Sequence, residues 1–204
     1  FPLLMALSCQ LPAPGDYLTS ESTGVPILLT RDQDHRVHAF LNVCRHRGAR
    51  VARGAGQADN RFRCPYHGWT YQLDGRLVGA PHMAESRIFD RRNCRLPEFR
   101  VETWLGFIFV NFDPDCGPLA AHLGDLSDHL GSYGLDEMLT VKRQEFVIRT
   151  NWKSYVENSM ESFHHPTVHR NSVNTPSIKK TVVVGTPGQY VLVLSLIHIS
   201  EPTR

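Results

Sequence analysis

Cys44-Arg45-His46-Arg47-Gly48-Ala49, followed beyond residues 47–63 by Cys64-Pro65-Tyr66-His67-Gly68-Trp69-Thr70-Tyr71, decides how this chain is read. Each stretch places one thiol and one imidazole within a few residues, a spacing that suits a short loop rather than a helix face. The first stretch follows the β-prone run Arg36–Asn42, and the second precedes the β-prone run Thr70–Leu73. A small β-domain brings two such loops together at one edge.

Two thiolates and two imidazoles are the ligands of a Rieske-type [2Fe-2S] cluster, in which the thiolates hold one iron and the imidazoles the other. Zinc fingers and ribbons more often use paired Cys-x2-4-Cys donors, so a zinc-binding module ranks second and unrelated buried residues third. Gly48 and Gly68 follow the two histidines closely. They would let the backbone approach the cluster sulfides and offer amide hydrogen bonds that raise the potential, or they simply meet the needs of a turn.

Composition narrows the classes further. The 204 residues are 41% hydrophobic and 21% charged, with a formal net charge of +2. So even a balance argues against a dedicated nucleic-acid binder. No apolar run reaches the roughly 18 residues of a membrane helix, so no membrane partner is expected. Cysteine count is odd, and Cys44 and Cys64 have a better use than disulfides. Cys9, Cys94 and Cys116 read as partly buried reduced thiols, which favours a cytoplasmic setting. Residues 195–204 resemble a translated sequencing adapter; they are expected to be a non-native tail, His198 included, on a chain truncated at both ends.

Patterning is β from Pro26 to Phe112. Pro26–Thr30 and Arg36–Asn42 flank a polar turn, Asp74-Gly75 marks a two-residue hairpin, and Thr103–Phe112 reads as one strand buried on both faces and stopped by Asp113-Pro114. Pro114–Pro118 reads as a linker. Beyond it, Leu119–Leu130 is expected as a helix, Val141–Thr150 as a long strand and Trp152–Phe163 as a second helix. On that helix Glu157, Glu161 and His164 stand at i, i+4 and i+7, sharing one face. His169 follows Pro166, which ends or bends the helix. Two imidazoles beside carboxylates suit a 2-His-1-carboxylate Fe(II) site with open positions for O2 and substrate; taken alone, a solvated helix face explains them as well.

Cys44-Arg-His-Arg-Gly-Ala, Cys64-Pro-Tyr-His-Gly-Trp-Thr-Tyr71, Leu73-Asp-Gly-Arg-Leu77 and Pro81 together resemble the Rieske domain of the catalytic alpha subunit of Rieske non-haem iron oxygenases, the ring-hydroxylating oxygenase family. Likeness extends from about Gly15 to about His169. It implies an α+β fold, with an antiparallel β Rieske domain over residues 1–118 followed by the start of a helix-grip (α/β sandwich) catalytic domain over 119–194. Asn151–Asn158 and Glu161-Ser-Phe-His164, followed by His169, resemble the family's mononuclear-iron helix. By that resemblance Cys44, His46, Cys64 and His67 hold the cluster, and His164 and His169 hold the second iron, with His165 a less well spaced alternative to His164.

Glu161 occupies the place where most members have Asp, the residue that bridges an iron ligand to a Rieske histidine of the neighbouring subunit; some quaternary-amine oxygenases also have Glu there. The family's third ligand, an Asp or Glu, lies farther along than this chain reaches, and neither Glu157 nor Glu161 is expected to replace it. The resemblance further implies a ferredoxin, a flavin reductase or both as electron donor, NAD(P)H acting only through the reductase, O2 as co-substrate, and a homotrimer, with or without a beta subunit. An aromatic or quaternary-amine substrate is expected. A Rieske-type electron carrier without its own substrate is the competing reading, and would need only the first half of the chain.

Overall fold

The computed structural model describes residues 1–83, 85–161, 164–169, 182–184, 190 and 192–194. They fall into two compact units, one of Phe1–Leu119 with Asp128–Val141, the other of Ala120–Ser127 with Lys142–Arg204. No helix among the described residues is long and apolar enough to cross a membrane.

The first unit is built on antiparallel strands. These are β1 (Leu3–Leu7), β2 (Asp16–Ser20), β3 (Ile27–Arg31), β4 (Val37–Leu41), β5 (Ala55–Gln57), β6 (Arg61–Arg63), β7 (Thr70–Gln72), β8 (Leu77–Gly79), β9 (Glu98–Trp104) and β10 (Phe107–Asn111). Seven of them form a sheet in the order β1-β10-β9-β4-β3-β2-β5, while β6-β7-β8 form a separate small sheet. Central β3 is buried on both faces, and the two-residue period of a strand assigns its side chains to two cores. Ile27 and Leu29, with Ala39 of β4, join Ala6, Leu11, Ile108 and Val110. Leu28, with Phe40 of β4, faces the other way and packs with Cys44, Phe62, Cys64, Trp69, Tyr71 and Leu96. That second core carries the small sheet and both Cys-His stretches.

Two contacts fix the small sheet on this core. Buried Thr30 donates its hydroxyl to the Leu73 carbonyl at 2.7 Å. Gly75, at φ +80°, lies so close to Phe40 that a Cβ there would meet the ring at 2.6 Å. Strands β4 and β9 are paired through Ala39 and Phe99, and the Leu41 N-H donates to the Pro97 carbonyl at 2.8 Å. The segment 42–97, which carries both Cys-His stretches, therefore begins and ends at one neck, with β5 pairing on β2 in between.

Several expectations need correction. Thr103–Phe112 is not one strand: β9 and β10 form a hairpin with Trp104 opposite Phe107, turning at Leu105 and Gly106 with φ of +44° and +81°. Leucine in a place that usually holds Asn or Gly hid the turn. The Asp74-Gly75 turn is longer than two residues, since β7 ends at Gln72, β8 starts at Leu77, and the Gln72 N-H bonds the Arg76 carbonyl. Leu119–Leu130 is two short helices, α1 (Leu119–Leu123) and α2 (Leu126–Leu130), interrupted at Gly124 with φ +58°. Residues 141–148 pair with no strand among the described residues and are exposed. Helix α3 (Trp152–Met160) begins where expected, with the Asn151 side chain accepting from the Lys153 N-H at 3.0 Å, but ends before Glu161.

A short α4 (His165–Val168) follows, with Pro166 inside its first turn, where a missing N-H costs nothing. Beyond it are β11 (Val182–Val184) and β12 (Leu192–Leu194), paired antiparallel. Ser162, Phe163 and residues 195–204 lie outside the described residues.

Candidate metal centre

The two Cys-His stretches fold into loops with the same frame. In the first, the Cys44 N-H donates to the Ala49 carbonyl at 2.8 Å and the Gly48 N-H donates back to the Cys44 carbonyl at 3.0 Å. In the second, the Cys64 N-H donates to the Trp69 carbonyl at 2.7 Å and the Gly68 N-H to the Cys64 carbonyl at 3.0 Å. Gly48 and Gly68 sit at φ +75° and +71°, so turn geometry explains both glycines. Their amides are spent on the cysteine carbonyls, which corrects the expectation that they serve the sulfides.

Within this frame Cys44 and Cys64 are buried in the core and lie side by side. The imidazoles of His46 and His67 meet edge to face, with centroids 4.6 Å apart. One pair is thiol and the other imidazole. Among the described residues no three His, Cys, Asp or Glu side chains converge as the ligands of a single metal ion would. A thiol pair beside an imidazole pair is the donor set of a two-iron cluster, one pair for each iron.

His46 Nδ1 is buried and has no hydrogen-bond partner. A buried ring nitrogen of this kind is costly unless something binds it, and a metal would satisfy it. Burial, with the charges of His67 and Arg47, holds the His46 imidazole below its ordinary pKa, in the neutral form a ligand needs. Burial also pushes the Cys44 thiol up, against the Tyr71 hydroxyl and the His46 amide, and neighbouring Cys64 adds to the rise. A nearby cation would favour the thiolate in such a place. Tyr71, fully buried, is held protonated first by burial and then by its contact with Cys44. Its oxygen accepts from the Arg45 N-H at 3.0 Å and lies 3.3 Å from Cys44 Sγ, a contact in which either group can donate to the other, and only the tyrosine to a thiolate.

Asn42 closes the first loop. Buried at the end of β4, it accepts at Oδ1 from the Val51 and Ala52 N-H groups at 3.0 and 3.1 Å, and donates to the Ala52 carbonyl at 2.9 Å. The second loop is more open. His67 and Tyr66 are exposed, and a cavity of about 460 Å³ bounded by Arg63, Tyr66, His67, Pro81 and His82 lies beside them.

The second unit holds the other predicted residues. Because α3 stops at Met160, Glu157, Glu161 and His164 do not share a continuous helix face, contrary to expectation. Glu161 is extended at the C-cap, with φ -105° and ψ 149°. That turn still brings Glu161 and His164 together, the carboxylate oxygen Oε1 bonding His164 Nδ1. The rings of His164 and His169 stand edge to face, with centroids 5.2 Å apart. The side chain of His165 lies outside the described residues.

Sequence reasoning missed Asn42, Thr30 and the partners of Tyr71. A polar residue ending an apolar strand, or a tyrosine inside a buried run, is the available signal, since buried polar groups must find partners.

Comparison with known proteins gives a consistent picture. Residues 2–100 match the family described as Rieske [2Fe-2S] domain, and residues 135–190 the one described as ring hydroxylating alpha subunit (catalytic domain). A glycine betaine monooxygenase oxygenase subunit of Chromohalobacter salexigens is 36% identical, the alignment covering 85% of this chain and 39% of the relative. A carnitine monooxygenase oxygenase subunit of Acinetobacter baumannii is 34% identical, over 87% of this chain and 48% of that one. A benzene 1,2-dioxygenase subunit alpha of Pseudomonas putida is 35% identical, over 80% and 37%. The structure of the quaternary ammonium Rieske monooxygenase CntA with L-carnitine superposes with a TM-score of 0.87 at 30% identity, covering 95% of this chain and 55% of that one. This chain therefore spans half or less of the length of these curated relatives.

Proposed function

The chain belongs to the Rieske oxygenases, joining a Rieske [2Fe-2S] domain to part of a ring-hydroxylating alpha-type catalytic domain, and on that premise we propose that it is the oxygenase component of a multi-component system acting on an aromatic or quaternary-amine substrate. When bound, the cluster supplies one-electron transfer and a mononuclear Fe(II) supplies O2 activation. Cys44 and Cys64 would hold one iron of the cluster, and His46 and His67 the other. Tyr71, 3.3 Å from the Cys44 sulfur, would donate to the thiolate of the loaded site and stabilise it. In the second unit, His164 and His169 would hold the mononuclear iron. The Glu161 carboxylate would accept from His164 Nδ1 and hold the tautomer that frees the other ring nitrogen for a metal.

Glu161 is the residue we assign to the bridge between this iron and a Rieske histidine of a neighbouring subunit. That role requires a homotrimer, and a ferredoxin or flavin reductase as donor. Glu161 together with the carnitine and glycine betaine relatives favours the quaternary amine.

The observation that carries the reading is the buried, unpartnered His46 Nδ1 beside His67 and two buried thiols. Anaerobically purified protein should contain acid-labile sulfide and at least as much iron, the mononuclear site adding to the iron of the cluster, and give a Rieske-type EPR signal once reduced. Zinc in a colourless protein would overturn the proposal. In the full-length protein, Glu161→Gln should leave the cluster reducible by its donor but slow its reoxidation with O2 and substrate. Wild-type reoxidation in that variant would remove Glu161 from the bridge.

A further inference from the structure

Resting on that reading of the cluster, we propose that Trp69 is a positioning residue for His46, setting the plane of its imidazole by face-to-face stacking. The His46 ring lies parallel to the indole of Trp69, with centroids 4.9 Å apart and planes 9° apart. Trp69 is itself buried, 3% exposed. Its other neighbour is Phe89, 5.5 Å away and inclined at 61°. Phe89 belongs to the stretch in which Ala80, Met83 and Cys94 also pack on this core. His46, Trp69 and Phe89 thus form a continuous run of rings, from the metal-facing nitrogen to the outer layer of the unit.

The need for such a device follows from the torsions of histidine. Rotation about the bond to an imidazole ring is broad and roughly two-fold, so the ring plane must be set by its contacts. A hydrogen bond usually does this from the nitrogen remote from the metal. The nitrogen free of partners here is Nδ1, and the flat contact with Trp69 restrains rotation about the same bond. His67 is held differently: it is exposed, with the exposed ring of Tyr66 tilted against it at 38° and 3.8 Å. The two imidazoles are therefore inequivalent, one half-buried and stacked flat on Trp69, the other open to solvent. Ring orientation governs how each imidazole donates to its iron, so the clamp on His46 should be visible in the electronic structure of the cluster.

A merely space-filling Trp69 would give a different result, and two substitutions separate the alternatives. Trp69→Phe keeps a flat ring on His46, whereas Trp69→Leu keeps apolar bulk and loses the plane. Each holoprotein is characterised by the EPR g values of the reduced cluster, by its midpoint potential and by its thermal midpoint. Trp69→Leu should change the g anisotropy and shift the potential, and Trp69→Phe should restore both towards wild type. Wild-type g values and potential in Trp69→Leu overturn the proposal, whatever its thermal stability; so do equal shifts in the two variants.

If Trp69→Leu does not retain iron, Phe89→Leu, which removes the outer layer and leaves the indole, should show the same spectral change in smaller degree. An unchanged spectrum in Phe89→Leu then counts the stack as packing and overturns the proposal. Absence of a Rieske signal from the wild-type protein would instead bring down the cluster reading together with this one.

Discussion

Asn42 binds the first ligand loop with three hydrogen bonds from a single buried side chain, and removing it should cost more than its size suggests. Asn42→Ala leaves two amides and one carbonyl without their partner, at about 1–3 kcal/mol for each group left buried and unsatisfied. Urea denaturation should show a loss within that range or above it; a change under about 0.5 kcal/mol would mean that water replaces the side chain. A second residue with a measurable signature is His38, whose Nε2 meets Asp32 at 2.7 Å and whose Nδ1 meets Glu98 at 2.9 Å. Burial works against its charged form, but the two carboxylates outweigh burial and raise its pKa above 6.5. The imidazolium therefore contributes its stability in full below the unfolded value near 6.5, and loses it as pH rises through the folded pKa. Asp32 has the opposite sign: burial raises its pKa, but bonds from His38 and nearby amides lower it below 3.8, so its share is lost on acidification. The stability difference between wild type and His38→Gln should shrink from pH 6 to pH 9, as read by thermal melts at each pH. A constant difference would show that folding leaves the pKa of His38 unshifted. At this scale the meeting of Cys44 with Cys64 and of His46 with His67 was legible because thiols and imidazoles are few and their spacing is informative. Asn42 and His38 were not, because a polar side chain acquires its task only from strands that are distant in sequence.

The β9–β10 hairpin shows what limits the reading of elements. Alternating and apolar runs revealed β3, β4, β7 and β8 but not β1, β2, β5 or β6, and the turn at Leu105-Gly106 was invisible because a leucine occupies a left-handed position. Such a conformation costs a leucine roughly 1–2 kcal/mol, whereas Asn tolerates it and Asn-Gly is the preferred pair for this turn. Leu105→Asn should therefore raise the thermal midpoint by roughly 2–4 °C for each kcal/mol recovered in a chain of this size. A lower midpoint would show that the buried part of the leucine side chain outweighs the strain. Gly106 tolerates no such exchange, since a Cβ there would stand 3.0 Å from the Asp136 backbone. Helix α3 teaches a related lesson. Its start was legible from Asn151, but its end was not, because no glycine or proline announces the extended conformation at Glu161. The contact between Glu161 and His164 was anticipated on a helix face and is achieved instead across a turn.

The chain as a whole divides into units of different character. The first encloses both cores, whereas the second exposes Phe146, Val147, Trp152 and Tyr155, with Val147 fully accessible. Large apolar side chains so fully exposed favour association wherever they adjoin. A polypeptide of residues 1–141 should take up the cluster, keep the EPR signal of the longer chain and run as a monomer in size-exclusion chromatography, while the 204-residue chain self-associates. Loss of the signal from the shorter polypeptide would mean that the first unit depends on the second. The neck at Leu41 and Pro97 bears on the order in which the molecule folds. Ala39 must find Phe99, and Leu3 must find Val110, across most of the first unit before the sheet is complete. Pairings so remote in sequence carry a heavy loop-closure entropy and place a protein among the slow folders. On the proposed reading of the cluster, a nascent chain would bring its four donors together late, and substitutions at the neck should lower the yield of iron-loaded protein through the folding rate.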